Sequence, residues 1–199
     1  MSDILLIRHG ATDLAGTFCG HSDPPLNERG REQVAALIEE LAEQRIEAVY
    51  ASDLSRARET AAALATAKGA LFYSLPHLRE IDFGDWEGLR WNEVETSDRK
   101  FAERWLVEYP SLAAPNAETV HAFEARVIAA FATLLQSDAR RPIAVVSHAG
   151  VMRVIMRRFG GFTEDQSFAH TRAYCSVVRL SRAQATAPGN GAVLQDGSR

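Results

Sequence analysis

Leu5-Leu6-Ile7-Arg8-His9-Gly10-Ala11-Thr12 is the stretch that decides how this chain is read. With Ile4 ahead of it, the apolar run predicts a buried strand close to the N-terminus. The run stops at Arg8 and His9, and Gly10 lets the backbone turn where a side chain would obstruct it. A strand whose C-terminal end presents a guanidinium and an imidazole is a candidate anion site, because ligands of open α/β sheets collect along that edge. The tripeptide Arg-His-Gly alone arises by chance in on the order of one per cent of chains this long. It therefore needs company.

Composition bounds the rest. The 199 residues suffice for one well-buried core. A net charge of -4 provides no general attraction to nucleic acid or to an anionic membrane, so an anion site has to be built locally from converging basic groups. Cys19 and Cys175 form neither a Cys-x-x-Cys pair nor a disulfide framework and are expected as reduced thiols. The run at 4–7 follows Asp3 and is too short for a signal peptide, and no later run reaches membrane-spanning length. The expected location is the cytoplasm.

Outward from the first strand, 13–28 has the Gly, Asp, Pro and Asn content of a loop. Asn27 then caps a helix carrying Val34, Leu37, Ile38 and Leu41 on one face. Ala48-Val49-Tyr50-Ala51 is a second strand. Ser52 or Asp53 is expected to cap a helix reaching Lys68-Gly69, and Leu71-Phe72-Tyr73 is a third, weaker strand. Between Leu78 and about residue 117 periodicity is poor and Trp and Gly are frequent, which suggests an insertion over one edge of the core. A long helix starts at Glu118 or Thr119, with Val120, Phe123, Val127, Phe131 and Leu134 at helical spacing.

Ile143-Ala144-Val145-Val146 is the clearest buried strand, and it ends at Ser147-His148-Ala149-Gly150 before another helix, repeating the N-terminal design. Ser176–Leu180 is a last strand. Residues 181–199 are expected to fray or to form a weak hairpin. This alternation predicts an α/β three-layer α/β/α sandwich: a mainly parallel sheet with helices on both faces and a small helical insertion over the C-terminal edge of the strands. Residues 1–180 then form one domain.

In such a sheet Arg8, His9 and His148 converge although far apart in sequence, and Arg56, just inside the second helix, reaches the same edge. Two arginines and two histidines suit the non-bridging oxygens of a phosphoryl group. A neutral His9, its other ring nitrogen held by a carbonyl near Gly10, would be the nucleophile; Arg8, Arg56 and a protonated His148 would neutralise the phosphate. A carboxyl group in a partly desolvated place would protonate the leaving oxygen. Glu80, flanked by Leu78 and Ile81, is the first choice, but spacing does not separate it from Asp82 or Asp85. No His-x-x-x-His pair or carboxylate cluster has metal-ligand spacing despite the six histidines, so neither a metal nor a cofactor is expected.

Together these segments resemble the histidine phosphatase superfamily, the group that includes cofactor-dependent phosphoglycerate mutases and many phosphatases. Five motifs carry the resemblance in order: Leu6-Ile7-Arg8-His9-Gly10-x-Thr12, Gly20-His21-Ser22-Asp23-x-Pro25-Leu26, Ser52-x-Leu54-x-Arg56-Ala57, Leu78-x-Glu80-Ile81-x-Phe83-Gly84-x-Trp86-Glu87-Gly88 and Val146-Ser147-His148-x-Gly150. The resemblance implies a phosphohistidine at His9, a phosphate pocket of Arg8, Arg56 and His148, and proton donation by Glu80 rather than by its neighbours. Thr12, Cys19 and Gly20 are the expected substrate contacts. Two positions depart from the family pattern. Ala15 stands where many members carry Asn, and Asn116-Ala117-Glu118-Thr119 replaces a Gly-Gly-Glu-Ser-like run.

The short chain and the Phe83–Glu87 run look more like small bacterial phosphatases, the α-ribazole phosphatase group among them, than like glycolytic mutases. The expected function is hydrolysis of a small phosphorylated metabolite, with α-ribazole phosphate as one substrate. Phosphoglycerate mutase activity is the enzymatic alternative and a phosphate-recognising binding module the non-catalytic one. No nucleic-acid or membrane partner is expected, and the chain would act as a monomer or homodimer. Trp86, Trp91, Trp105 and Tyr109 in the insertion either pack a helical lid or line a substrate mouth.

Overall fold

The computed structural model describes residues 4–137 and 141–187. Strand β1 (Ile4–Arg8) leads into the loop before helix α1 (Glu28–Glu40). Strand β2 (Ala48–Ala51), helix α2 (Ser55–Lys68) and strand β3 (Leu71–Ser74) follow. The insertion holds two 3-10 turns at Pro76–Leu78 and Gly84–Trp86 and two short helices, α3 (Trp91–Ser97) and α4 (Arg99–Glu108). Then come α5 (Val120–Ser137), β4 (Ile143–Ser147), α6 (Ala149–Gly160), α7 (Glu164–His170), β5 (Val177–Leu180) and α8 (Arg182–Ala185).

The sheet order is β3-β2-β4-β1-β5, parallel throughout except for β5, which runs antiparallel along β1. Alternation along β1 shows why helices cover both faces. Ile4 and Leu6 join the core formed with Val127, Phe131, Ile155 and Phe159 of α5 and α6, whereas Leu5 and Ile7 join the one formed with Leu37, Ala61 and Leu64 of α1 and α2. Each such aliphatic, fully removed from water, contributes roughly 1.5–3 kcal/mol. The outcome is the three-layer α/β/α sandwich read from the pattern.

Local signals hold at several helix starts. The Asn27 side chain accepts from Gly30 N at 2.9 Å, and Thr119 Oγ1 accepts from Ala122 N at 3.2 Å, so Thr119 rather than Glu118 caps α5. At α2 the expectation needs correction: neither Ser52 nor Asp53 is the cap, because Leu54 occupies that position without a side-chain bond. A residue distant in sequence substitutes, Asp23 accepting from Ser55 N at 2.5 Å and from Ser55 Oγ at 2.9 Å. The segment after β5 also differs from expectation. Residues 182–185 form α8, whose Ala185 is buried in the core beside α6, so this part neither frays nor pairs as a hairpin; residues 188–199 lie outside the described residues.

The insertion has a small core of its own, with Trp86, Val94, Ala102 and Ala114 buried and Phe18, Trp91 and Trp105 packed on them. Among the described residues no helix is long and apolar enough to cross a membrane.

Candidate active site

Register places the two histidines. Arg8 of β1 lies opposite Ser147 of β4, so the next residues, His9 and His148, leave adjacent strands at one level. Their ring centroids are 5.0 Å apart, edge to face. Gly10 is required here by close approach, since a Cβ on it would sit 2.7 Å from the Gly30 carbonyl oxygen. The Gly10 carbonyl in turn lies 2.7 Å from His9 Nδ1. It can only accept, so Nδ1 carries the proton and Nε2 the lone pair. Burial, with Arg56 and Arg8 adding to it against the pull of the Gly10 carbonyl, holds the His9 pKa down to about 3.

His148 is buried and neither ring nitrogen has a hydrogen-bond partner among the described residues. Burial first, then Arg56, His9 and Arg8, push its pKa well below 6.5. The protonated His148 expected from sequence is therefore corrected for the unliganded chain. Two guanidiniums and a second imidazole in one dry site disfavour a further cation until an anion arrives.

Both arginines are fixed by backbone carbonyls. Arg56, 1% exposed, donates from Nη1 to Ser22 O and from Nη2 to Gly20 O, both at 2.7 Å, and more weakly to Cys19 O at 3.3 Å. Arg8 Nη1 donates to Thr171 O and Arg172 O, both at 2.8 Å. In each, Nε is buried and has no acceptor among the described residues, an orphan donor of the kind that an anion would satisfy. The loop that holds Arg56 is itself held by the Glu87 carboxylate, which accepts from the backbone N–H of Gly20, His21, Ser22 and Phe83 at 2.8 to 3.1 Å.

Glu80 is pinned from three directions. Its Oε2 accepts from Gly150 N at 2.9 Å and its Oε1 from Ile81 N at 3.1 Å. Its own carbonyl and that of Arg79 accept from Arg126, whose Nε and Nη2 also reach the Glu118 carboxylate at 2.7 and 2.8 Å. Ahead of it, Arg79 grips Asp53 at 2.5 and 2.7 Å, a contact that holds the Asp53 carboxyl below its usual range. Asp82 instead lies by His21 at 3.4 Å, and Asp85 accepts from the side chain of Asn116.

A cavity of about 190 Å³ is lined by Arg8, His9, Thr12, Cys19, Arg56 and Glu80, among others. Six of the eight residues expected from sequence thus share one space. The other two do not line it. His148 meets the His9 ring edge to face, and Gly20 is occupied through its backbone with Glu87 and Arg56. Tyr174 was missed. Its ring lies 5.6 Å from that of His9 and 4.1 Å under the Arg8 guanidinium, on a loop without periodicity that reaches the site because β5 runs beside β1. Among the described residues no three His, Cys, Asp or Glu cluster as a metal site would need.

A second cavity of about 680 Å³ adjoins the first and shares Phe18, Glu80, Phe83 and Ala149 with it. Trp105 and Tyr109 line this space, whereas Trp86 lies in the insertion's small core; the aromatic residues divide between the two expected roles. At the departure from the family pattern, Asn116 takes a left-handed φ of 57°, a backbone region in which Asn is tolerated better than most non-glycine residues.

The Histidine phosphatase superfamily (branch 1) profile matches residues 4–188. The chain belongs to this superfamily. Adenosylcobalamin/alpha-ribazole phosphatase of Salmonella typhimurium is 31% identical over 155 residues, 77% of each chain. A metal-independent phosphoserine phosphatase of Arabidopsis thaliana is 32% identical over 163 residues, covering 79% of this histidine phosphatase and 68% of the plant protein. Among solved structures, mycobacterial glucosyl-3-phosphoglycerate phosphatase aligns with a TM-score of 0.78 at 26% identity over 91% of both chains.

Proposed function

We propose that this histidine phosphatase is a metal-independent phosphomonoesterase that hydrolyses a small phosphorylated metabolite through a phosphohistidine on His9. The observation that carries this reading is the 2.7 Å contact from His9 Nδ1 to the Gly10 carbonyl, which leaves an unprotonated Nε2 in a cavity with two arginines. Nε2 attacks phosphorus and the ester P–O bond breaks. The departing oxygen takes a proton from Glu80, while Arg8, Arg56 and His148 stabilise charge on the equatorial oxygens. A water then gives its proton back to Glu80 as its oxygen attacks the phosphohistidine, releasing phosphate and restoring the ring. Thr12 and Cys19 border the bound phosphate. Two free cysteines suit the reducing environment of the cytoplasm.

The relatives' names supply the substrates to try first: α-ribazole 5′-phosphate, phosphoserine and glucosyl-3-phosphoglycerate. Acid-labile, base-stable label on the wild type after brief exposure to a radiolabelled phosphomonoester, absent in His9→Ala, is the expected result. Near-normal turnover by a folded His9→Ala chain would exclude the nucleophile. Exchange of 2- and 3-phosphoglycerate with a bisphosphoglycerate primer and no phosphate release would make the chain a mutase instead.

A further inference from the structure

The larger cavity contains a cation whose state its neighbours do not share. Arg126 is matched by Glu118 on the near side of this space. Arg157 is matched by Glu124, Nη2 to Oε1 at 3.0 Å. Arg153, one turn into α6 beyond Ala149, is hydrogen-bonded to no carboxylate among the described residues, Glu80 acting on it only at longer range. Its Nε donates to Thr171 Oγ1 at 2.8 Å and its guanidinium stacks on the Phe168 ring at 3.8 Å. Nη1 and Nη2 have no acceptor among the described residues. A planar fork held by its Nε and by one face has already lost most of its rotamer freedom, and its two free nitrogens suit a bidentate oxyanion.

The place of this fork relative to the phosphate pocket is set by one residue. Thr171 is fully buried; its carbonyl accepts from Arg8 Nη1 and its hydroxyl from Arg153 Nε. The same hydroxyl donates to Ser167 O at 2.8 Å, with Phe168 O farther off at 3.3 Å, so its oxygen stays turned to accept from Arg153. Arg8 faces the small cavity and Arg153 the large one, with Glu80 lining both. A molecule whose phosphate sits at His9 and whose alcohol portion passes Glu80 therefore arrives beside Arg153. Apolar groups make up much of the remaining lining there, Phe18, Phe123 and Phe168 among them. The half-buried guanidinium thus keeps Nη1 and Nη2 open to an anion that enters this space.

We propose that Arg153 anchors a second anionic group on the alcohol portion of the substrate, so that the chain selects phosphomonoesters that also carry a carboxylate or a second phosphate. This rests on the phosphatase reading above and narrows its substrate class. Arg153 is a specificity determinant in it and takes no part in the chemistry at His9. Burial lowers the Arg153 pKa somewhat and Glu80 opposes the shift, but the group remains a cation at neutral pH.

The test compares three substrates of one carbon skeleton: glycerol 3-phosphate, 3-phosphoglycerate and glycerol 1,3-bisphosphate. For the wild type, kcat/KM for at least one of the latter two should exceed that for glycerol 3-phosphate by about tenfold or more, the scale of a charge-assisted hydrogen bond. Which of the two leads tells carboxylate from phosphate. In Arg153→Gln that ratio should collapse towards unity, chiefly through KM, and Arg153→Lys should restore part of it. Equal ratios in wild type and Arg153→Gln would overturn the anchor while leaving the phosphatase reading intact. A wild type that hydrolyses p-nitrophenyl phosphate but shows no preference for 3-phosphoglycerate or glycerol 1,3-bisphosphate over glycerol 3-phosphate, or acts on none of the three, would likewise overturn the anchor alone. A wild type neither active on nor labelled by any phosphomonoester, p-nitrophenyl phosphate and the relatives' substrates included, would remove the phosphatase reading with it.

Discussion

Glu80 Oε2 accepts the backbone N–H of Gly150 at 2.9 Å, joining the insertion's first segment to the opening turn of the helix that follows His148. The contact fixes the Glu80 carboxylate relative to the strand tips, and Ser147 Oγ, one residue before His148, also donates to Leu78 O at 2.7 Å. Proximity of this kind is worth having only if the geometry is tight.

Gly150→Ala tests that tightness. A Cβ on Gly150 would stand 2.2 Å from Glu80 Oε1, and the carboxylate would have to swing away. The backbone there is helical, so the fold should survive. We expect kcat to fall by about ten- to a hundredfold, roughly 1.4–2.8 kcal/mol of barrier, with a circular dichroism spectrum like that of the wild type. Unaltered kcat would mean that Glu80 need not occupy this position.

Glu80→Gln separates proton donation from positioning. The amide keeps the size and one acceptor of the carboxylate and can donate a hydrogen bond, but it has no proton to transfer to a leaving alkoxide. Alkyl phosphates should suffer far more than p-nitrophenyl phosphate, whose phenolate leaves with little assistance. Comparable losses on both would point to another acid, with Asp82 the nearest candidate in sequence.

Stability should fall on the acid side of neutrality. Burial, then Arg56, hold His9 down to about 3, and the same causes lower His148. Below about pH 6.5 the unfolded chain takes up protons on these rings and the folded chain does not. Their contribution is therefore fully present above pH 6.5 and is lost as pH falls from there through the folded values, at up to about 1.4 kcal/mol per pH unit for each ring. Urea midpoints at pH 7.5 and 5.0 measure it, and His148→Gln should flatten the dependence. A His148→Gln slope equal to the wild type's would show that this ring is protonated in the fold.

Glu87→Ala removes an acceptor shared by four backbone N–H groups. Desolvation alone would raise the Glu87 pKa, but the hydrogen bonds from Ser22, Phe83 and His21 prevail and lower it. Leaving those donors unpaired should cost about 2–4 kcal/mol in urea denaturation. It should also raise KM, because the loop at 19–22 supplies the carbonyls that aim Arg56. A variant with wild-type stability would show that water replaces the carboxylate without penalty.

Much of the site could be read from single residues because strand ends and short polar motifs are local. Arg8-His9-Gly10 and Ser147-His148 follow apolar runs whose termination is written in the composition. The α2 cap was misread because its acceptor, Asp23, is 32 residues away from Ser55 and no local pattern announces it. The charge state expected for His148 failed for a similar reason: it depends on burial and on two arginines brought in from other elements. Tyr174, Thr171 and Arg153 carry no motif; the first two meet Arg8 because the chain leads into β5, which pairs with β1, and Arg153 of α6 joins them through Thr171.

By itself the sequence determined the layered α/β architecture and the kind of chemistry at its edge. Hydrophobic periodicity and the residues at the ends of apolar runs depend only on near neighbours along the chain. The tertiary structure decided how deeply His9 and His148 are buried among the arginines, which carboxyl group shares their cavity, and that the Arg153 guanidinium in the adjoining cavity is held by a hydroxyl and an aromatic face rather than by a carboxylate. Those properties depend on desolvation and on donors and acceptors meeting across long loops, and they exist only once the strands are in register.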